Sequence, residues 1–425
     1  MLDASETAMA AADEGPAGRP LRVAVFANEF PALSETFVLS HITGLLDHGN
    51  EVTVFANTPR VGDPSVHADF RRYRLDERLR YRAMPASRAK RALGATAILM
   101  RRRLARPALR ALDPVRYRRE ATSLALLHWT DRLLDLPPFD IVHCHFGLTG
   151  RTAAFLREIG AIGGRLVVMF HGVDVTACLD QEPNLYRHLF RVGDLFLPVS
   201  AHFRRRLIRH GCDPERIRVH HLGVDPTRFS FRPRRPDPAR PLAVLTIARL
   251  VEKKGVAYGL RAVAQAAAAG APIRHVIVGD GPLRGPLEAL ARELGIDRRV
   301  MFCGWKTQDE IVALMQDMDA LLFPSITGAN GDQEGSPVVL KEAMASGLAV
   351  VATHHAGVDE IVEHGVSGFL ADERDVAGLA DALGALARDP ELCARLGAAA
   401  RAKVVAEFDV RQLNRRLQRH YRSLL

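Results

Sequence analysis

The stretch ALLFPSITGANGDQEGSPVVLKEAMASGLAVVATHH (residues 320–355) contains the pattern that decides the fold. The apolar run ALLFPS is followed by a glycine-containing loop, by a helix predicted to begin at Pro337, and by the apolar run AVVATHH. Ser336 is typical of the position before a helix, and Gly347 is typical of the residue that ends one. A strand, a helix and a second strand in this order predict parallel strands joined by a helix.

The same alternation continues on both sides of this stretch, and apolar runs typical of buried parallel strands recur along the chain. They occupy residues 21–27, 51–56, 140–146, 165–172, 194–200, 242–250, 273–281 and 299–305. Helical patterns lie between them, for example at 255–269, 284–294 and 337–346. The sequence therefore predicts an α/β protein whose parallel sheets are covered by helices on both faces.

The segment FRPRRPDPARP (231–241) separates two such series and carries four prolines without a periodic pattern. We predict an interdomain linker here. It would join an N-terminal Rossmann-like domain over 21–230 to a C-terminal Rossmann-like domain over 242–405. Residues 1–20 are expected to form a disordered extension, and 406–425 a C-terminal helix that packs back on the N-terminal domain.

The composition is that of an ordinary soluble protein, since 48% of the 425 residues are hydrophobic and 25% are charged. The five cysteines are scattered and form no C-x-x-C pair, so neither a disulfide framework nor a structural zinc site is expected. The N-terminus lacks the basic start and apolar stretch of a secretory signal, and no run has the length of a membrane span. These features predict a cytoplasmic location.

The formal net charge is +9, and arginine is concentrated between Arg71 and Arg119. A solvated helical face explains this bias most simply. An anionic membrane surface such as the cytoplasmic face of the plasma membrane is the second interpretation, because basic clusters bind anionic lipid. Nucleic acid is not expected as a partner, because no aromatic residues are interleaved with the basic ones and no nucleic-acid motif occurs.

In open parallel sheets, ligands bind beyond the carboxyl ends of the strands, so residues that follow strands are the candidates for chemistry. Glu334 precedes the helix that begins at Pro337, and Glu342 lies in its second turn. Carboxylates accept hydrogen bonds from sugar and ribose hydroxyls, and the helix N-terminus offers N–H groups to an anion. The alternative is that both glutamates are solvated surface charges.

The segment ARLVEKKG (248–255) directly follows the first strand of the second series. Arg249 and Lys254 can both reach phosphate oxygens from such a turn, although an ordinary surface turn is the alternative. The segment VGDGPLRG (278–285) has the spacing G-x-G-x-x-x-G, one residue longer than a dinucleotide fingerprint. NAD binding is therefore not supported.

Histidines follow two strands of the first series. His171 and Asp174 lie in HGVD, where a histidine can donate to or position a reacting group, although a structural role is the more common one. His143 and His145 alternate in HCHF and so point to one side of their strand. No third metal ligand is suggested, and we predict a polar pair at the sheet end that faces the cleft.

Asp317 and Asp319 form a D-x-D, which holds a divalent cation in some sugar transferases. Here it lies at the entrance to an apolar strand and away from the glycine loop, so no metal site is predicted. The sequence contains no G-x-S-x-G elbow, Walker loop or H-E-x-x-H motif.

As a set, these motifs resemble glycosyltransferase family four, which has the GT-B fold of two Rossmann-like domains facing a central cleft. The resemblance is carried by ARLVEKKG, VGDGPLRGPLE, EGSPVVLKE with its E-x7-E spacing, and AGVDEIVEHGVSGFL (356–370). In the first half, FPALSETFVLSHITGL and FHGVDVT resemble the bacterial branch that builds exopolysaccharide, including colanic-acid-type enzymes. The segment AGVDE departs from the G-G-x-P-E that is common in the family.

The resemblance implies a role for each candidate residue. Arg249 and Lys254 would bind the donor diphosphate; Glu334, Gly335 and Ser336 the donor sugar; Glu342 the ribose; Gly304 and Trp305 the base; and His171 would lie against the transferred sugar. His171 and Glu334 are thereby the implied catalytic residues. Ser34, Glu35 and Thr36 occupy the place of a glycine-rich loop that contacts acceptor or phosphate in many members, but this chain lacks those glycines.

The implied reaction is a retaining, metal-independent transfer of a hexose from a UDP- or GDP-sugar to a lipid-linked saccharide acceptor. No cofactor is implied, since the nucleotide sugar is a substrate. Two alternatives stay open: a hydrolase or epimerase of nucleotide sugars on the same fold, and a non-catalytic nucleotide-binding scaffold.

Overall fold

The computed structural model describes residues 19–32, 36–58, 68–82, 84–234, 237 and 239–425. Most of the predicted N-terminal extension and positions 235, 236 and 238 of the predicted linker lie outside these residues. The described strands form two six-stranded sheets.

The first sheet is built from the N-terminal half of the chain. Its strands are β1 (Arg22–Glu29), β2 (Glu51–Thr58), β3 (Leu79–Tyr81), β4 (Ile141–His145), β5 (Arg165–Phe170) and β6 (Leu195–Pro198). Their order across the sheet is β3-β2-β1-β4-β5-β6, and each neighbouring pair is parallel. In this register Val25 of β1 lies between Val54 of β2 and His143 of β4.

The second sheet repeats this plan in the C-terminal half. Its strands are β7 (Leu242–Ile247), β8 (Ile273–Val278), β9 (Val300–Phe302), β10 (Ala320–Phe323), β11 (Ala349–Thr353) and β12 (Phe369–Ala371). The order is β12-β11-β10-β7-β8-β9, again with parallel neighbours. The prediction of two Rossmann-like domains with parallel sheets is therefore confirmed.

Helices connect the strands of each sheet. Those of the first half are α1 (Thr36–Asp47), α2 (Ala68–Arg72), α3 (Leu75–Arg78), α4 (Arg88–Arg101), α5 (Arg106–Arg110), α6 (Pro114–Thr122), α7 (Ala125–Leu133), α8 (Gly147–Ile159), α9 (Ala177–Gln181), α10 (Arg187–Val192) and α11 (Ala201–Arg209). Those that follow are α12 (Val256–Ala268), α13 (Arg284–Glu293), α14 (Gln308–Gln316), α15 (Val338–Ala345), α16 (Val358–Ile361), α17 (Val376–Arg388), α18 (Pro390–Glu407) and α19 (Val410–Ser423). Short 3-10 turns occupy Pro214–Arg216, Pro226–Arg228 and Glu252–Lys254.

The strands form the core because helices cover both faces of each sheet, and their side chains are accordingly apolar. All four residues of β6 and all five of β11 are buried. Strand β4 nevertheless carries two buried histidines, since its five buried residues include His143 and His145. Polar groups inside such a core require hydrogen-bond partners, and those of β4 are described below.

The C-terminal end of the chain returns to the first sheet. The sequence predicts one helix over 406–425, whereas α18 ends at Glu407 and α19 begins at Val410, with Asp409 as an N-cap that accepts from the N–H of Arg411. Helix α19 packs against α1. Its residue Tyr421 is fully buried in the core of the first half, beside Leu417.

Candidate active site

The carboxyl ends of the two sheets meet at one place, where a loop from each half is in contact. His171 directly follows β5, and Gly335 lies in the loop between β10 and α15. A Cβ atom built on Gly335 would lie 2.1 Å from the carbonyl oxygen of His171 and 2.5 Å from the ring of Phe203. Only glycine permits this approach, so the two halves meet where the sequence places sugar-binding residues.

Glu334, next to Gly335, is held by two lysines from the 3-10 turn that follows β7. Its carboxylate lies 3.0 Å from Nζ of Lys254 and 3.4 Å from Nζ of Lys253, and Lys253 also lies 2.9 Å from Asp332. Burial alone raises the pKa of Glu334, but Lys254 and Lys253 outweigh it and lower the pKa to about 2. Glu334 is therefore a fixed carboxylate at neutral pH.

A buried histidine is hydrogen-bonded to the backbone N–H of Glu334. The N–H of Glu334 donates to Nε2 of His355 at 3.0 Å, so the proton of this imidazole lies on Nδ1, which donates to Glu373. Glu373 also accepts from the N–H and the hydroxyl of Thr327 at 2.8 and 2.9 Å. Sequence reasoning missed Lys253, His355 and Glu373, although the pair Lys253-Lys254 is visible in the sequence.

Arg249 lies at the start of the same turn, two residues after β7 ends. Its side chain is exposed and has no hydrogen-bond or ion-pair partner among the described residues. The guanidinium is thus free to bind an anion, whereas Lys254 already contacts Glu334. The structure brings the two predicted phosphate ligands to one turn, where Lys254 is paired with Glu334 and Arg249 has no partner among the described residues.

Glu342 and the predicted base-binding segment are joined by a residue that the sequence did not single out. Nε2 of Gln308, at the start of α14, donates to Oε1 of Glu342 at 2.8 Å. Burial raises the pKa of Glu342, and this hydrogen bond opposes the effect. Gly304, with φ of +67°, and Trp305, whose side chain is 66% exposed, lie three or four residues before Gln308.

Ser336 does not act as the predicted helix cap. Helix α15 begins at Val338 with Pro337 as its N-cap residue, because the Ser336 hydroxyl instead accepts from Nζ of Lys341. Lys341 is fully buried and also donates to the carbonyl of Leu222 at 2.7 Å. Burial lowers the pKa of Lys341 to about 7.

The backbone of His171 contacts this loop, and its ring lies among aromatic side chains. Phe37 stacks on it with ring centroids 4.4 Å apart, and the ring of Phe146 lies at 4.6 Å. Burial lowers its pKa to about 3. Asp174 orients the loop by accepting from the backbone N–H groups of His171, Gly172 and Gly147 at 2.8 to 3.1 Å.

Two family models match adjacent parts of the chain and together cover residues 34–403. "Glycosyltransferase Family 4" matches residues 34–228, and "Glycosyl transferases group 1" matches residues 228–403. The putative colanic acid biosynthesis glycosyltransferase WcaL of Escherichia coli (strain K12) is 38% identical over 402 residues, which are 93% of this chain and 98% of WcaL. The chain belongs to glycosyltransferase family four.

Another relative supports this assignment, and two solved structures share the fold. The amylovoran biosynthesis glycosyltransferase AmsK of Erwinia amylovora is 35% identical over 92% of this chain and 96% of AmsK. Anabaena Alr3699/HepE, solved in complex with UDP and glucose, aligns with a TM-score of 0.68 at 19% identity over 95% of this chain and 100% of that one. Sucrose-phosphate synthase from Thermosynechococcus elongatus aligns with a TM-score of 0.70 at 18% identity over 95% and 99%. The predicted GT-B fold is confirmed.

The predicted acceptor loop of this glycosyltransferase is only partly visible. Ser34 and Glu35 lie outside the described residues, and Thr36 is the first residue of α1. The next residue, Phe37, is the one that stacks on His171. The start of α1 therefore lies at the site.

His143 and His145 are fully buried in β4 and do not form the predicted polar pair facing the cleft, because His41 of α1 and Tyr421 of α19 pack against them. Ring nitrogens of His41, His143 and His145 lie within 4.8 Å of one another. Nδ1 of His41 is hydrogen-bonded to Nε2 of His145 at 2.9 Å, and Nε2 of His41 to the hydroxyl of Tyr421 at 3.0 Å. No sequence pattern links these residues, since they come from α1, β4 and α19.

Asp319 of the D-x-D motif has a structural role at the opposite end of the second sheet. Its carboxylate accepts from both Nη atoms of Arg240 at 2.7 and 3.0 Å and from the N–H of Ala243 at 2.8 Å. It is 2% exposed. Because these donors occupy both oxygens, the motif offers no free pair of carboxylates to a cation.

The segment AGVDE, which departs from the family pattern, joins the two halves of this glycosyltransferase. Glu360 of α16 accepts from the backbone N–H groups of Ala201 and His202 at 2.9 and 3.1 Å, and so caps α11 of the first half. Beside it, Nε2 of His202 is hydrogen-bonded to Gln333 at 3.1 Å. The loop that carries Glu334 is therefore tied directly to the first half.

Proposed function

We propose that this glycosyltransferase transfers a hexose from a nucleotide-diphosphate sugar to a lipid-linked saccharide during exopolysaccharide biosynthesis, with retention of the anomeric configuration. The observation that carries the proposal is the ion-paired Glu334, whose neighbour Gly335 lies against the backbone carbonyl of His171 where the two halves meet. The printed names of WcaL and AmsK supply the pathway class, and the UDP and glucose bound by HepE support a nucleotide-sugar donor.

The donor diphosphate is assigned to the turn after β7. Arg249, Lys253 and Lys254 supply three cations near the two carboxylates of Asp332 and Glu334, which leaves one net positive charge. The backbone N–H groups that lead into α15 add to this potential. Fixed charges and dipoles of this kind stabilise the charge that develops on a leaving diphosphate, so the proposal includes no metal ion.

The nucleoside is assigned to the segment that Gln308 ties to Glu342. Glu342 accepts from one hydrogen-bond donor in the described structure and retains acceptor capacity for ribose hydroxyls. Trp305, which is two-thirds exposed, offers a ring face to a base. This assignment orders the donor along the second half, from base to diphosphate to sugar at Glu334.

The reaction requires no covalent intermediate on the protein. Glu334 forms ion pairs with two lysines. We therefore assign it to binding of sugar hydroxyls rather than to nucleophilic attack. The bond between C1 of the sugar and the diphosphate oxygen breaks, and the acceptor hydroxyl bonds to C1 from the same face. The hydroxyl proton passes to the leaving diphosphate, so atoms and charge balance.

The test is a donor screen on the purified full-length chain. UDP-, GDP- and ADP-hexoses are each incubated with a polyprenyl-diphosphate-linked oligosaccharide, and the anomeric proton of the product is read by NMR. We expect turnover that depends on the acceptor, gives the retained anomer and survives EDTA. Donor turnover without acceptor would favour a hydrolase or epimerase, and loss with EDTA reversed by manganese would contradict the metal-independent step.

A lipid-linked acceptor implies work at a membrane surface, and helices α4 to α6 provide a candidate surface. None of the described helices combines the length and apolar character needed to cross a bilayer. Large apolar side chains are nevertheless exposed on these helices at Leu93, Met100, Leu104, Leu109 and Val115. Exposed basic side chains lie among them at Arg88, Lys90, Arg103, Arg106 and Arg110. We call these ten residues the basic–apolar surface.

The basic–apolar surface has the two properties that bind a protein to an anionic membrane. Leu93 and Met100 are seven residues apart on α4 and so share a face, which can enter the headgroup region. The exposed arginines add electrostatic attraction. Arg102 is excluded, because it pairs with Asp131 and Asp135. We propose that this surface docks the enzyme at the cytoplasmic face of the plasma membrane, beside its acceptor.

A further inference from the structure

A continuous line of five side chains runs from β4 through α19 and α1 to His171. The hydroxyl of Tyr421 is 2.7 Å from Nδ1 of His143 and 3.0 Å from Nε2 of His41. Nδ1 of His41 is 2.9 Å from Nε2 of His145, and Nδ1 of His145 is 3.1 Å from Nε2 of His171. We call these five residues the His–Tyr network. The network connects α19 to His171.

Every group in the network is buried and neutral at neutral pH. Burial lowers the pKa of His41, His143 and His145 well below 6.5 and that of His171 to about 3. It also raises the pKa of the Tyr421 phenol well above 10. Each neutral imidazole carries one N–H and one lone pair, and the phenol carries one O–H.

The two ends of the network are the nitrogens that lack a partner. Among the side chains that the structure describes, Nε2 of His143 and Nδ1 of His171 are buried without a hydrogen bond. The internal nitrogens of His41 and His145 are all used. Four hydrogen bonds therefore connect five groups, and each group brings one proton.

This count allows only two arrangements in which every link holds one proton. In the first, each group donates toward His171, and the remaining proton lies on Nδ1 of His171. In the second, each group donates toward His143, and the remaining proton lies on Nε2 of His143. If the proton of one group moves to the other side of that group, all four hydrogen bonds must reverse direction or one must break. The tautomer of His171 is therefore coupled to the direction in which the Tyr421 hydroxyl donates.

The surroundings of the two ends favour the first arrangement. A buried N–H without an acceptor is rarer in proteins than a buried lone pair without a donor. Nε2 of His143 lies in the core of the first half, where His143 is 0% exposed. His171 is 8% exposed, and its backbone carbonyl lies at the contact between the halves, where the transferred sugar is proposed to bind. A water molecule or a sugar hydroxyl can therefore reach an N–H on His171 more readily than one on His143, which favours the first arrangement.

We propose that Tyr421, His41 and His145 are positioning residues that hold His171 with its proton on Nδ1, as a hydrogen-bond donor to the transferred sugar. The inference rests on the proposed role of His171, but the tautomer itself is a property of the protein without substrate. In free histidine the proton lies mainly on Nε2, so the network would impose the less common form.

A metal ion is the competing explanation for three neighbouring histidines. Two nitrogens bound to one tetrahedral zinc at 2.0–2.1 Å lie roughly 3.3 Å apart. The 2.9 Å between His41 and His145 is instead the length of a direct hydrogen bond. Direct hydrogen bonds account for each nitrogen except the two ends.

The first experiment reads the tautomer directly, without any assay of activity. Protein labelled with 15N-histidine is compared by long-range 1H–15N NMR, which distinguishes protonated ring nitrogens from lone-pair ones, and His171→Asn assigns the signals of His171. We expect a protonated Nδ1 in the wild type and mixed tautomers in Tyr421→Phe. Tyr186→Phe is the matched control, because Tyr186 is fully buried but its hydroxyl has no partner among the described residues.

The second experiment separates positioning from folding. Tyr421→Phe should lower kcat by about fivefold, the effect of one hydrogen bond, and leave the KM for the donor within about twofold. Tyr186→Phe should leave both unchanged. A protonated Nε2 on wild-type His171, an unchanged tautomer in Tyr421→Phe, or one equivalent of zinc per purified chain would overturn the inference. If no donor is turned over, the proposed function fails while the NMR result still decides the tautomer.

Discussion

The two sides of the active site hold their polar groups in opposite ways. In the first half, His171 and the histidines behind it are neutral, buried and packed among aromatic rings. In the second half, Glu334, Lys253 and Lys254 are charged and paired at 3.0 to 3.4 Å. The difference matches the two parts of the proposed substrate, because a diphosphate needs charge whereas a sugar needs oriented hydrogen bonds.

The largest effect is expected on the charged side, from Glu334→Gln. This change removes the carboxylate that pairs with two lysines, each link being a charge-assisted hydrogen bond of about 1.5–3 kcal/mol. We expect kcat/KM to fall by at least about 100-fold. Glu310→Gln is the control, since Glu310 also pairs with a lysine but is exposed on α14. Near-normal kinetics in Glu334→Gln would remove Glu334 from the site.

Arg249→Ala and Lys254→Ala each remove one cation from the charged side of the site and should weaken its contact with the donor diphosphate. The loss of one charge-assisted contact to the diphosphate corresponds to about 10- to 100-fold in kcat/KM. Nucleotide binding measured by calorimetry should weaken in both variants, and Lys306→Ala should match the wild type because Lys306 pairs with Glu310. Wild-type affinity in both variants would contradict the assignment of the diphosphate.

The neutral side should lose stability at mild acid. The folded-state pKa of His171 is about 3, below the 6.5 of the unfolded chain, so the unfolded state binds the proton first and the free energy of unfolding falls as pH drops below 6.5. Between pH 7.5 and 5.5 this one residue accounts for about 1.4 kcal/mol. The carboxylate of Glu334, with a pKa lowered to about 2, has no such effect until pH falls below 4.5.

Urea unfolding of a Trp305→Phe background measures this effect, because Trp129 in the core of the first half is then the remaining tryptophan. His171→Asn should reduce the difference between the two pH values by about 1.4 kcal/mol. His48→Asn, which removes an exposed histidine of the same half, should leave it unchanged. An equal pH dependence in His171→Asn would show that His171 is not held neutral.

The strands and the charged side of the site could be predicted from the sequence because their signals are local. Apolar runs predicted the positions of β7, β8, β10 and β11. Arg249 was found because it follows such a run closely, and Glu334 because it lies just before the start of a helix. Strands β3 and β12 were missed, since each has only three residues at the edge of its sheet and no longer apolar run around it. Strand β9 is equally short but was predicted, because it lies in the longer run 299–305.

The neutral side could not be predicted in the same way. His41 lies on α1 and Tyr421 on α19, 380 residues apart, and only the packing of these helices brings them within 3.0 Å. Gln308 and His355 likewise reach the site from separate elements. A sequence pattern reports the neighbours along the chain, whereas these hydrogen bonds depend on the arrangement of the sheets.

The smallest effect is expected at the basic–apolar surface, far along the chain from both sides of the site. Arg106→Gln should weaken binding to vesicles that contain phosphatidylglycerol by about fivefold, since one basic residue contributes about 1 kcal/mol. Arg395→Gln, an exposed arginine of the second half, is the control in the same co-sedimentation assay. Equal binding to neutral vesicles, or none to anionic ones, would leave a solvated helical face.

The carboxylate of Glu360 spans the two halves, and this has a consequence for substrate exchange. It closes the first turn of α11 from outside the domain to which that helix belongs. If one half moved away from the other, the two hydrogen bonds to Glu360 would break, and the backbone N–H groups of Ala201 and His202 would be exposed to water. The first turn of α11 is thus capped twice, by Ser200 from its own half and by Glu360 from the other.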